Sequence, residues 1–193
     1  MAEYSLIPVS VPRVETRHRR IVTALPVPES LPIFAALQET EPRSMLGQPP
    51  IIWHSAEKFS VSDRWGNRWL DWSSCVLVAN AGHGRKEIKD AVQAILEQNL
   101  LSTYVFIHEQ RAELTRQLCA LMPKPADYRA FLLTTGSEAT ENCIKLAKTW
   151  GLEKHGRHKK YFVSFTNAFH GRTMGAQLAG GIEALKTWMV DRD

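Results

Sequence analysis

The chain has 193 residues, 44% of them hydrophobic, and its 24 basic and 20 acidic residues leave a formal charge of +4. That length and apolar content suit a globular chain able to bury a core and exclude a disordered one, while the nearly balanced charge leaves no electrostatic footprint for nucleic acid. Three isolated cysteines, Cys75, Cys119 and Cys143, argue for neither a disulfide framework nor a metal site, and the expected setting is reduced and cytoplasmic.

No leader or membrane segment is expected. Glu3 interrupts any basic start, no apolar run follows it, and no stretch approaches the ~18 apolar residues of a membrane span. Residues 1–52 carry Pro8, Pro12, Pro26, Pro28 and Pro32 together with the basic cluster Arg13-Val-Glu-Thr-Arg-His-Arg-Arg20. They read as an extended arm whose charges are either solvated or turned toward a second subunit or an acidic partner.

Residues 53–105 read as a hairpin and a helix. Lys58 to Trp72 alternates around the turn signal Asp63-Arg-Trp-Gly-Asn67, and its three tryptophans are expected to pack. A helix is predicted over 85–98, where Ile88, Ala91, Val92, Ile95 and Leu96 share one face. Residues 106–193 begin with a helix over 109–122, with Leu114, Leu118 and Leu121 on one side and Pro123 as its stop. A strand over 128–134, a helix over 137–155 and a strand over 160–165 then form a strand–helix–strand unit, which predicts parallel strands and a right-handed crossover. Ile182 to Val190 begins another amphipathic element. Such a parallel sheet is normally covered on both faces, and here it would be left unfinished.

In a parallel α/β sheet the ligand site lies outside the carboxyl ends of the strands, so the loops after Thr134 and Phe165 should share a crevice. The first, Thr135-Gly-Ser-Glu138, opens a helix whose first amides have no intrahelical acceptor and whose dipole favours an anion. Gly136 lets backbone approach and Ser137 adds a hydroxyl, which suits a phosphate. An ordinary N-cap at Ser137, with Gly136 closing a turn, accounts for the same residues. Neither a Gly-Lys-Ser/Thr P-loop nor a Gly-x-Gly-x-x-Gly dinucleotide fingerprint is present.

The second loop, Thr166-Asn-Ala-Phe-His-Gly-Arg-Thr173, sets Phe169, His170 and Arg172 beside the first. Phe169 suits the face of a flat ring, or a core position. Arg172 suits a bidentate carboxylate clamp, or a surface ion pair. His170 suits hydrogen bonding or stacking, or a structural place. A phosphate cradle, a ring platform and a carboxylate clamp together describe a site for pyridoxal 5'-phosphate acting on an amino or oxo acid.

Leu133 to Asn142 and Ala168-Phe-His-Gly-Arg-Thr-Met174, preceded by Asp63 to Asp71 and Asn80-Ala-Gly-His-Gly84, resemble the class III, omega-amino-acid aminotransferases of the fold-type I pyridoxal-phosphate group. The likeness runs from about Trp53 onward in four ordered motifs and is nearest to the 4-aminobutyrate branch. It implies an α/β fold: an N-terminal segment and the first part of a large, mainly parallel domain. It also implies a homodimer acting on amino acid and 2-oxo acid substrates. Gly136 and Ser137 match positions that bind the cofactor phosphate, and Phe169 matches the aromatic on the pyridine ring. Arg172 matches a position gripping a distal substrate carboxylate, and Val76 a position lining the substrate pocket. The chain departs from the family at Cys75, where glycine is usual, and at Thr140, where asparagine is common.

Aminotransfer also needs a Schiff-base lysine and an acid paired with the pyridinium nitrogen. In the family both follow the motifs present here, and no lysine of this chain matches the lysine motif. The expectation is an N-terminal, truncated part of an aminotransferase, inactive by itself. Two readings stand beside it: an aminomutase, decarboxylase or racemase with the same cradle, and a non-catalytic interaction protein of the same fold.

Overall fold

The computed structural model describes residues 4–45, 47–159 and 161–190. The chain divides into two units, Met1–Ser102 and Thr103–Asp193. The first is built on a small antiparallel sheet in the order β1-β2-β5-β4-β3. Its strands are β1 (Val14–Glu15), β2 (Arg20–Ile21), β3 (Ser55–Glu57), β4 (Ser60–Ser62) and β5 (Arg68–Leu70).

The proline-rich stretch is therefore not simply an extended arm. It supplies two strands, and Arg20 pairs in register with Arg68 of β5. It also holds the ten-residue helix α1 (Leu31–Thr40), with Pro32 in the first turn. Proline is tolerated there because the first amides of a helix have no intrahelical acceptor.

The hairpin read at Asp63–Asn67 forms. Asp63 Oδ1 accepts from the amides of Trp65 and Asn67, each at 2.9 Å, and Gly66 takes a φ of +91° that its lack of Cβ permits. Asn67, 1% exposed, binds this turn to the segment that follows β2. Its Nδ2 donates to Asp63 Oδ2 (2.7 Å) and to Thr23 Oγ1 (2.8 Å), and its Oδ1 accepts from the Val22 amide (2.8 Å). A buried amide so fully paired is stable where an unpaired one would not be. Ile21, Val27 and Val61 are buried in this unit. Trp72 is not a packing residue: it is 90% exposed.

Helices α3 (Lys86–Glu97) and α4 (Glu109–Ala120) lie where the apolar periodicity puts them, yet Ile88, Val92, Leu114 and Leu118 stay exposed among the described residues. Between β5 and α3, the short α2 (Ser74–Leu77) is a left-handed turn. Ser74, Cys75, Val76 and Leu77 have φ of 48°, 52°, 56° and 68°.

In the second unit the helix α5 (Gly136–His155) and the short α6 (Met174–Ala179) lead the structure. The expected parallel strands do not appear among the described residues. Residues 128–135 and 161–165 run without ladder partners, and Lys160 lies outside the described residues. A strand exists through its ladder, with a neighbour about 4.8 Å away, and neither segment has one. Their apolar side chains remain open, Phe131, Val163 and Phe165 among them. The closing amphipathic element is only a 3-10 turn at Glu183–Leu185. Ala176 and Met189 are the apolar side chains buried in this unit among the described residues. The core is thus smaller than the composition suggests.

Candidate functional site

The cap of α5 is Thr135, not Ser137. Thr135 Oγ1 accepts from the Glu138 amide at 3.1 Å, while Glu138 Oε2 accepts from the amides of Thr134 (3.0 Å) and Thr135 (3.1 Å). This capping box satisfies amides on both sides of the helix start. It leaves those of Gly136 and Ser137 without a partner among the described residues. A Cβ added at Gly136 would meet nothing within 4 Å, so the helix start is open on that side.

Ser137 is thereby free for another task. Its Oγ accepts from the Arg172 amide at 3.3 Å, which leaves the hydroxyl hydrogen available to donate to an anion. Gly171 passes so close, at a φ of +128°, that a Cβ there would land on the Ser137 side chain. Only glycine fits this approach.

Two further residues of α5 hold the same loop. Thr140 Oγ1 lies 2.9 Å from the His170 carbonyl, with the Gly136 carbonyl as its alternative acceptor at 3.1 Å. Glu141 Oε1 accepts from the amides of Gly175 (2.7 Å) and Ala176 (3.0 Å) at the start of α6. A hydrogen bond from the Thr173 side chain, with those amides, holds the Glu141 carboxyl below its ordinary value against the opposing effect of desolvation. Residues 137, 140 and 141 follow helical i, i+3, i+4 spacing and so share one face. The structure thus brings Ser137 and Arg172 together, and Phe169, 60% exposed, rides on the tethered loop. Thr140, Glu141 and Gly171 are positioning residues that the motif reading had not assigned. The signal for the first two was their spacing from Ser137.

Val76 lies in the first unit, exposed, within the left-handed turn α2. The turn is gathered by Asp71. Its Oδ1 accepts from the Ser73 amide (3.1 Å) and hydroxyl (2.7 Å), and its Oδ2 accepts from the Cys75 amide (2.8 Å) and His83 Nε2 (2.7 Å). The His83 hydrogen bond, with those from Ser73 and Cys75, holds the Asp71 carboxyl below its ordinary value although desolvation opposes it.

A family model of the class-III aminotransferases matches residues 44–187. The chain belongs to that family. Over 156 residues it is 30% identical to a 4-aminobutyrate aminotransferase of Mycobacterium leprae, covering 80% of this chain and 34% of the relative. It is 31% identical over 134 residues to an adenosylmethionine-8-amino-7-oxononanoate aminotransferase of Geobacter sulfurreducens, 69% of this chain and 30% of the relative. Among solved structures, an (S)-enantioselective omega-transaminase from Thermomicrobium roseum superposes with a TM-score of 0.72 at 26% identity, over 85% of this chain and 38% of that one. This class-III aminotransferase chain therefore spans about a third of the length of the curated relatives it matches. Class-III aminotransferases depend on pyridoxal phosphate.

Proposed function

We propose that this chain supplies the cofactor-phosphate cradle of an aminotransferase that moves an amino group from an amino acid to a 2-oxo acid, with an omega-amino acid such as 4-aminobutyrate as donor. The observation that carries the reading is the Ser137–Arg172 contact at 3.3 Å beside two amides without a partner among the described residues. When bound, pyridoxal phosphate supplies the electron sink for the transfer. Its phosphate fits the amides of Gly136 and Ser137 and the Ser137 hydroxyl, because a helix N-terminus with open space beside it favours an anion. Phe169 would cover the ring and Arg172 would hold a substrate carboxylate by a bidentate pair. Val76 would line the substrate pocket.

None of the chain's own lysines matches the family's Schiff-base lysine motif. Lys145, the nearest on α5, sits roughly 13 Å along the helix axis from Gly136 at 1.5 Å per residue. We therefore expect the 193-residue chain to bind the cofactor without turning substrate over. Pairing as a homodimer belongs to the same proposal, supported by the family membership, while a cytoplasmic setting rests on the isolated cysteines alone. Titration of the chain with pyridoxal phosphate, followed by cofactor fluorescence, tests it. Ser137→Ala should weaken binding roughly tenfold, the loss of one charge-assisted hydrogen bond. Equal affinity in the two proteins would refute the cradle.

A further inference from the structure

A cavity of about 680 Å³ lies in the first unit, and none of the residues assigned above lines it. Three permanent cations line it from three elements: Arg17 from the β1–β2 loop, Lys58 from the β3–β4 turn and Arg68 from β5. Elsewhere on the same sheet positive charge is partly offset, since one carboxylate, Glu15, accepts from both Arg13 and Arg20 at 3.1 Å. In the cavity the offset is weaker. The one carboxylate of the lining, Glu57, stands 3.9 Å from Lys58 with both side chains largely exposed, a pair worth little in water. Arg17 has no ion pair among the described residues. Arg68 is half-buried, donates from Nη2 to the Arg17 carbonyl at 2.9 Å, and keeps Nε buried without any acceptor.

A guanidinium partly withdrawn from water without a counterion is costly. A bound anion would supply the missing countercharge. The other groups of the lining suit an organic anion. Ser60 and Ser62 alternate onto one face of β4, and their hydroxyls have no hydrogen-bond partner among the described residues. Phe59 is 50% exposed, with the His18 ring edge-on at 5.2 Å, and offers an apolar face to a flat ring. The turn that presents Lys58 and Phe59 is held in place by the reciprocal backbone bonds Lys58 N to His83 O (2.8 Å) and His83 N to Lys58 O (2.7 Å). Lys58 accordingly keeps a φ of 54°, a conformation that needs such support.

We infer that this cavity binds a phosphomonoester carrying a flat ring, with the phosphate on Arg17, Lys58 and Arg68 and the ring against Phe59. The site shares no residue with the cradle on α5. Pyridoxal phosphate is itself such an ester, so Ser137→Ala, which touches the cradle alone, and Arg17→Ala, which touches the cavity alone, tell the two readings apart.

Equilibrium dialysis of the full chain against adenosine monophosphate, at physiological salt, tests the inference. Saturable binding is expected. Arg17→Ala and Lys58→Ala, both at exposed side chains, should each weaken it roughly tenfold, as loss of a charge-assisted contact does, and Ser137→Ala should leave it unchanged. Phe59→Ala should weaken adenosine monophosphate and spare ribose 5-phosphate. Circular dichroism and Arg17→Gln guard against a folding artefact, the glutamine variant being expected to behave as the alanine one. Absence of saturable binding, affinity unchanged in both cation variants, or loss in Ser137→Ala alone would overturn the site.

Discussion

Asp71 and His83 meet at 2.7 Å across twelve residues of chain, the carboxylate side chain 2% exposed and the imidazole 16%. The same carboxylate accepts from Ser73 and Cys75 and so holds four consecutive residues in the left-handed region. That region costs roughly 1–2 kcal/mol per residue for ordinary side chains, and a β-branched Val76 is the least suited to it. The turn is a strained element held by one buried acid.

Asp71→Asn is expected to release it. An amide cannot accept from His83, Ser73 and Cys75 all at once, because one of its two polar atoms only donates. Hydrogen exchange at the amides of Cys75 and Leu77 should rise at least tenfold, with exchange at Val61 little changed.

Acid should act in the same direction. The Asp71 and Glu141 carboxyls are both held below their ordinary values by the hydrogen bonds they accept. A group with a depressed folded pKa adds stability above its unfolded value, near 4 for a carboxylate, and that stability disappears as pH falls through the folded value. Thermal unfolding followed from pH 6 down to pH 3 should therefore show a loss concentrated below pH 4. Asp71→Asn combined with Glu141→Gln should flatten that loss.

Cys75→Gly should stabilise the first unit. Cys75 sits at a φ of 52°, where glycine bears no Cβ penalty. Set against the extra freedom glycine brings to the unfolded chain, the net gain is about 0.5–1 kcal/mol, readable as a shift in denaturation midpoint. The departure from the family at this position thus carries a conformational strain, besides any change to a pocket wall.

Gly171→Ala should do the reverse in the second unit. Its Cβ would fall on Ser137 at a φ of +128°, and relief requires the loop to move off α5. Limited proteolysis between residues 165 and 173 should accelerate, by an amount matching about 1–3 kcal/mol of strain.

Asn67→Ala should cost about 1–3 kcal/mol for the buried partners it leaves unpaired, measured by chemical denaturation. The Val22 amide and Asp63 Oδ2 would both lose the partner they have in Asn67.

What the sequence made legible follows from how local each signal is. Helices α3 and α5 are readable because their apolar spacing and end signals lie within the element itself, and the Asp63–Asn67 turn because aspartate, glycine and asparagine carry turn chemistry directly. The segments 128–134 and 160–165 carry strand-like composition, yet a ladder is a property of neighbours and cannot be read from one strand alone. The left-handed turn at Val76 gives no local sign, since Ser-Ser-Cys-Val contains no glycine and its tether comes from Asp71 and His83. In the candidate site, the motif pointed to Gly136 and Ser137 but placed the cap on Ser137. Geometry moves the cap to Thr135, and that shift is what makes the serine available.

The stripe Ser137, Thr140 and Glu141 has a consequence for how such a site can vary. Because one face of one helix fastens the whole neighbouring loop, the amides at the start of α5 and the placement of Phe169 are mechanically linked. A substitution in the first turns of α5 cannot tune one without displacing the other, so changes in specificity have to come from residues outside this fastening.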